Sequence, residues 1–278
     1  MKMVNKIAFI GAGSMAEAII TGILNKGVIK PHQVYITNKD NQERLDRLNI
    51  IYHVPCMNDK KEVMKEADIV ILSVKPKDAQ EALHSIRPFV KKEQLIVSVL
   101  AGISTEFIEE QLGVEVPVIR AMPNTSAAIG HSATAVAKGK HARKEHLENA
   151  ISLFQTIGTT TVVEEEDLHA VTGLSGSGPA YIYYLVEAME DAAQQAGLQK
   201  EISKELIVQT LVGAAEMLKT TQETPSALRK KITSPGGTTQ AGIETLEKYK
   251  YQEALIECIK NAKARSVELG KLFEQTNP

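Results

Sequence analysis

Two stretches of the chain place glycines and small polar side chains at spacings suited to a ligand: GAGSMAEAI near the start and SPGGTTQAGIETLEK far along the chain. In the first, Gly11, Ala12, Gly13, Ser14, Met15 and Ala16 read G-x-G-x-x-A, directly after the apolar run KIAFI and directly before a helix-like run. There Gly11 makes the turn, Gly13 lets a pyrophosphate approach the backbone, and Ala16 lets the helix pack closely on its strand. The free amides and positive end of that helix then face the phosphates. In the second stretch, Gly236 and Gly237 let backbone amides reach a ligand, and Thr238 and Thr239 bring hydroxyls to a helix start. This composition suits a carboxylate cradle with one hydroxyl donor, and an elaborate helix cap accounts for it equally well. A third small-residue run, GLSGSGPA, sets glycines and serines against a proline-started helix, a site for anionic or carbonyl groups.

The remaining polar residues say what the chemistry is not. A dehydrogenase acting on alcohols needs a group to take the hydroxyl proton, commonly a Lys, a His or a Tyr with a Lys nearby. His141 and His146 fall in the charge-rich GKHARKEH and read as solvent-exposed, while His32, His53, His84 and His169 have no partner motif. Lys75, in SVKPK, ends a strand-like run and reads as a cofactor-side residue. Hydride transfer to a substrate that is already electrophilic, such as a protonated imine, needs mainly alignment and exclusion of water. The cofactor half has its own clue in QVYIT, which runs out into Thr37, Asn38 and Lys39 where a chain selective for NAD usually places a carboxylate. An amide and an ammonium suit a 2′-phosphate, so NADPH is expected to be preferred and NADH possible. Asp40 would reverse that preference if it took the position, and Asn38 and Lys39 also fit ordinary turn residues.

The elements that must hold these residues follow from hydrophobic period. KIAFI, QVYIT, DIVILSV, QLIVSVL, VPVIRAM and TTTVV are short, nearly continuous apolar or β-branched runs, as strands covered on both faces require. Amphipathic runs separate them, the clearest being Met15 to Lys26 with Gly27 as its stop. The expected fold is a doubly wound α/β domain over residues 1–164. After Glu164 the strand signal disappears, and helices are expected over Pro179–Ala196, from Ser203, and through Leu255–Leu269. Three or four helices in residues 165–278 are too few to cover their own apolar faces, so this helical domain is expected to dimerise. Composition fits a small-molecule partner: 32 Lys and Arg against 34 Asp and Glu give a net charge of −2, no field for nucleic acid or a membrane surface. Cys56 and Cys258 stand alone, which argues against a disulfide framework or a metal site and fits a cytoplasmic protein. No apolar run approaches the roughly 18 residues of a membrane span, and no cleavable leader is expected.

The blocks FIGAGSMAEAI, ILSVKP, VIRAMPNTSAAIG, GLSGSGPAYIYYLVEAM and LRKKITSPGGTTQAGIETLE, in this order over the whole chain, resemble the pyrroline-5-carboxylate reductase family. The resemblance implies a Rossmann domain for NAD(P)H, an interlocking helical domain, and reduction of L-1-pyrroline-5-carboxylate to L-proline. By position it implies that Thr239 hydrogen-bonds the ring nitrogen, with Ser234, Gly237 and Thr238 on the carboxylate. It further implies that Val74, Lys75, Pro76, Met122, Pro123 and Asn124 wall the nicotinamide and ribose pocket, with Asn58 on the adenosine side. The chain departs from the family where Lys230, in place of an acid, follows Arg229. Two rivals predict different sequences: a β-hydroxyacid-type dehydrogenase needs a catalytic lysine where YIYYLVEAMEDAAQQ has none, and a non-enzymatic NADP sensor would have no need of SPGGTT.

Overall fold

The computed structural model describes residues 4–275. Contacts divide the chain into two compact units: residues through Pro179 together with those from Lys260 onward, and Ala180–Ile259. In chain order the first contains β1 (Ile7–Ile10), α1 (Ser14–Asn25), β2 (Val34–Thr37), α2 (Gln42–Tyr52), α3 (Lys60–Met64), β3 (Ile69–Leu72), α4 (Ala79–Ile86), β4 (Leu95–Ser98), α5 (Thr105–Leu112), β5 (Val118–Met122), β6 (Ser132–Lys138), α6 (Lys144–Phe154), β7 (Gly158–Val162) and α7 (Leu168–Val171). They build one sheet in the order β2-β1-β3-β4-β5-β6-β7.

Alternate residues of each strand feed opposite layers, because successive side chains leave a strand on opposite faces. Ile7, Phe9, Ile69, Ile71, Leu95 and Val97 enter one core with Ile19, Ile20 and Ile23 of α1 and Leu153 and Phe154 of α6. Ala8, Ile10, Val70, Leu72 and Ile96 enter the other with Leu83 and Ile86 of α4 and Ile108 and Leu112 of α5. Burial on both faces is why these runs are continuously apolar, and each large side chain removed from water stabilises the unit by about 1.5–3 kcal/mol. The doubly wound α/β reading of the sheet therefore holds.

Two strands depart from expectation: β6 lies in no expected run, and β7, the TTTVV run expected to be covered on both faces, is largely exposed, Val162 by 52%. β5 pairs antiparallel with β6, and β6 pairs parallel with β7, so the last two strands run against the first five. The run SATAVAK that forms β6 carries alanines, good helix formers, in place of bulky apolar residues, so its sequence gives little strand signal. Its small side chains are buried anyway, with Ala137 0% and Ala135 5% exposed, because β5 and β7 flank it.

The second unit is helical: the body of α8 (Gly178–Gln195), α9 (Lys200–Thr220), α10 (Pro225–Lys231), α11 (Thr238–Lys248) and the start of α12 (Tyr251–Gln275). Helix α9 begins ahead of the expected Ser203 and α12 ahead of Leu255. The short polar α10 escaped the periodicity argument altogether. In this unit only Ser203 and Ile207 are buried, while Tyr183, Tyr184, Leu206, Val212 and Met217 are at least 49% exposed. The second unit has almost no core of its own.

From Lys260 onward α12 belongs to the first unit. There it meets the loop after β4 backbone to backbone: a Cβ on Gly270 would stand 2.6 Å from the carbonyl oxygen of Gly102. Nδ1 of His169 and Oγ of Ser266 lie 3.0 Å apart beside this contact.

Candidate active site

The glycine turn sits between β1 and α1, where strand order reverses with β2 on one side of β1 and β3 on the other. In open α/β sheets that reversal opens a crevice at the carboxyl ends of the strands. Gly11 has φ +111°, and a Cβ there would lie 2.6 Å from the Ser73 carbonyl, so only glycine fits. Gly13 differs, since its added Cβ would meet nothing of the protein closer than 3.8 Å. The fold therefore does not demand glycine at Gly13, and the space beside its backbone is free for a ligand. Gly13 caps α1 without a side-chain acceptor, which leaves the first-turn amides, those of Ser14 and Met15 among them, for an anion. These features fit a pyrophosphate.

Sequence reasoning missed the side chain that braces this turn. Arg44 of α2 donates from Nε to the Ala12 carbonyl at 2.8 Å and from Nη2 to Glu17 at 2.6 Å. Tyr52 donates its hydroxyl to the other Glu17 oxygen at 3.1 Å. Burial raises the Glu17 carboxyl, but the bonds from Arg44 and Tyr52 outweigh it and hold the group below its ordinary value. Arg44 and Ala12 are 32 residues apart, so no local pattern betrays the contact.

The turn opens on a cavity of about 510 Å³ whose walls include Gly11, Gly13, Asn38, Lys39, Val74 and Lys75. The Asn38 side chain is engaged in its own turn, accepting from the Asn41 amide at 3.1 Å and donating to its carbonyl at 2.7 Å. Lys39 instead reaches across to Glu81 of α4, at 2.6 Å. The hydrogen bond and charge of Glu81 raise the Lys39 pKa. Asp40 also lines the cavity. Asn58 does not line it, and its amide bonds Gln42 at 3.0 Å. Pro76 opens the short turn that follows Lys75.

Met122, Pro123 and Asn124 lie farther along the same edge, at the end of β5 and outside that cavity. β1 and β5 are separated by β3 and β4, so strand spacing alone puts their ends roughly 14 Å apart. Any ligand touching both must be long and extended, as a dinucleotide is. Asn124 is 8% exposed and bonded at both atoms of its amide: its Oδ1 accepts from the Ser126 amide at 3.1 Å and its Nδ2 donates to the Ser175 carbonyl at 3.1 Å. Ser175 belongs to a wide helical turn, Thr172–Gly176, that continues α7. Most of the glycine-serine run is thus wound as a π-turn, a form frequent near functional sites.

His141 and His146 are not the exposed residues expected. Their side chains are 29% and 13% exposed; Nε2 of His141 lies 3.5 Å from Glu109, and Nδ1 of His146 accepts from the Arg143 amide at 3.1 Å. Burial raises the Glu109 carboxyl. Farther along the chain, Glu165 accepts from the Thr105 amide at 2.8 Å, the Thr105 hydroxyl at 2.5 Å and Arg120 at 2.8 Å. Arg120 itself is 3% exposed and two positions before Met122, so this ion pair fixes the β5 end that carries Met122 and Asn124.

In the second unit, Ser234 to Gly237 connect α10 to α11. Gly236 has φ +70°, which favours glycine, and its amide donates to Gln240 Oε1 at 2.7 Å. Gly237 caps α11 with no side-chain bond, and its amide reaches the Ser234 carbonyl at 3.0 Å. Gln240 thus ties back the residue before the cap and leaves the first-turn amides of α11 without a side-chain acceptor, and among the described hydrogen bonds neither the Thr238 nor the Thr239 hydroxyl takes part. Ser234 and Thr238 are exposed and Thr239 is half-buried. The corner left open by Lys230 is closed by Arg229, whose guanidinium lies 4.0 Å from Glu247 of α11.

A sheet of this order, with a glycine turn at its switch point and a long edge beyond it, makes the first unit a Rossmann-type domain and the chain a nicotinamide-dinucleotide oxidoreductase. Residues 165–269 match the family described as pyrroline-5-carboxylate reductase dimerisation, and residues 6–102 match NADP oxidoreductase, coenzyme F420-dependent. The chain is 51% identical over 268 residues to pyrroline-5-carboxylate reductase 2 of Bacillus subtilis, covering 96% of each. It is 45% identical to pyrroline-5-carboxylate reductase 1 of the same organism, covering 98% of this chain and 91% of that one. Among solved structures, a pyrroline-5-carboxylate reductase from Coxiella burnetii superposes with TM-score 0.88 at 34% identity, covering 96% of this chain and 99% of that one. The Plasmodium falciparum pyrroline carboxylate reductase with NADP bound gives 0.87 at 29% identity, covering 97% and 99%. The chain belongs to the pyrroline-5-carboxylate reductase family.

Proposed function

We propose that the chain reduces L-1-pyrroline-5-carboxylate to L-proline, with NADPH preferred over NADH, as the closing reaction of proline synthesis. The observation that carries the substrate side is the Ser234–Gly237 turn, which delivers two threonine hydroxyls, without partners among the described residues, to a start of α11 that has no side-chain cap. Ser234, Gly237 and Thr238 bind the substrate carboxylate through amides and hydroxyls, and the positive end of the helix favours the anion. Thr239 orients the ring by a hydrogen bond at its nitrogen and stabilises the N–H present in the product. No strong acid is required, because the substrate imine carries its own proton when it reacts. Gly11, Gly13, Ser14 and Met15 hold the pyrophosphate of the coenzyme. Lys39 with Asn38 faces the 2′-phosphate, Asn58 lies on the adenosine side, and Val74, Lys75, Pro76, Met122, Pro123 and Asn124 line the remainder. NADPH supplies the hydride that C5 of the ring accepts.

Residues 1–164 serve the coenzyme, and residues 165–278 serve the substrate and association with a second copy. The exposed apolar side chains of α8 and α9 support a homodimer or larger homo-oligomer. No helix of the described residues is long and apolar enough to cross a membrane, and cytoplasmic work is the reading that the two unpaired cysteines favour. The test is oxidation of NADPH by purified protein on addition of pyrroline-5-carboxylate, with NADH alongside. Imine-dependent oxidation, faster with NADPH, is expected; no turnover with either coenzyme overturns the proposal.

A further inference from the structure

The ion pair between Lys39 and Glu81 spans two walls of the glycine-turn cavity, from the end of β2 to the third residue of α4. Both side chains are more than 60% exposed, so the pair contributes little to holding the fold together. It is also singular within the cavity. Among the described residues, the lining Lys60, Lys75 and Lys77 make no ion pair, and Arg44 is engaged by Glu17 and Ala12. The one ammonium positioned at the β2 end, where the ribose of a dinucleotide lies in this architecture, thus carries an internal counter-ion.

We infer that Glu81 is a coenzyme-specificity residue, acting through Lys39 as the carboxylate that a 2′-phosphate must displace. The inference rests on the functional reading above and deepens it. A 2′-phosphate brings a charge near −2 toward an ammonium that Glu81 already holds and neutralises, so binding it must first break that pair. A 2′-hydroxyl brings no charge and leaves the pair undisturbed. Glu81 therefore lowers the preference for NADPH below what Lys39 alone would set, and tunes selectivity without touching the reacting atoms.

The experiment titrates NADPH and NADH into purified protein, following nicotinamide fluorescence with no second substrate present. Glu81→Gln keeps shape and exposure while removing the charge. It should tighten NADPH binding about three- to tenfold and change NADH binding less than about twofold, with the difference shrinking at high salt. In a Lys39→Ala background the same substitution should help NADPH by at most about twofold. Unchanged NADPH binding, equal tightening of both coenzymes, or a full gain without Lys39 would overturn the inference. If wild-type protein binds neither coenzyme, the functional reading falls and takes the inference with it. Wild-type binding of NADPH together with an inert Glu81→Gln substitution overturns the inference alone.

Discussion

Replacing Glu165 by alanine removes the acceptor for three hydrogen bonds, two from Thr105 and one from Arg120. Arg120 is 3% exposed, so its guanidinium has no water to turn to once the carboxylate is gone. Breaking a buried pair in this way costs about 3–5 kcal/mol. The Glu165 side chain is 25% exposed, and the solvent reaching it moves the expectation to the low end, about 3 kcal/mol. For a chain of this size that corresponds to a fall in Tm of roughly 6–12 °C. Glu165→Gln keeps an acceptor and should lose about half as much. The effect carries a pH signature. Burial raises the Glu165 carboxyl, but the bonds from Thr105 and Arg120 more than offset it and leave the folded-state value below the ordinary one. The unfolded chain then binds the proton more readily, so the stabilisation is full above the unfolded value near 4.3 and is lost as pH falls through the folded value. Thermal unfolding of wild type and Glu165→Ala from pH 7 to pH 3 should show a gap that is widest near neutrality and closes in acid. A Tm within about 2 °C of wild type at pH 7, or a gap indifferent to pH, would refute the reasoning.

Thr239→Val should lower kcat/KM about 5- to 150-fold, the loss of one hydrogen bond worth about 1–3 kcal/mol, and Thr239→Ser should retain most activity. Thr238→Val should act mainly through the KM of the imine; unchanged kinetics in folded Thr239→Val would remove the hydroxyl from the mechanism. Arg44→Ala frees the Ala12 carbonyl and should raise KM for NADPH and NADH together by about tenfold or more, leaving the imine KM in place. A loss confined to NADPH would instead make Arg44 a ligand of the 2′-phosphate. Sedimentation at micromolar concentration should find a dimer or a larger assembly, and a monodisperse monomer would contradict the reading of the exposed α8 and α9 faces.

What the sequence disclosed and what it hid follow one physical line. β1 and β3 are buried on both faces and apolar at every position, and β4 is apolar up to its buried final Ser98, so each was visible as a run. β6 fills a thin place in the sheet with alanine and threonine, and nothing in SATAVAK separates it from a helix until β5 is beside it. The glycine turns were legible because Gly11 and Gly236 satisfy backbone demands that few other residues can meet. Arg44 on Ala12 and Glu165 on Thr105 and Arg120 join residues 32 to 60 positions apart. Charges matched over such distances leave no period behind. The histidines show the same limit: GKHARKEH is rich in charge, yet the backbone turns His146 inward to cap its own helix.

The unit that carries the glycine turn is not continuous in the chain, since its last wall is the stretch of α12 beyond Lys260. A growing polypeptide therefore finishes every strand of the sheet long before it can close that sheet's unit. At 5–20 residues per second, the 97 residues from His169 to Ser266 take roughly 5–19 s to synthesise and the stretch from Gly102 to Gly270 roughly 8–34 s, during which neither contact can form. The coenzyme half is thus begun first and completed last. The order of synthesis makes the helical segment a prerequisite for its finished form.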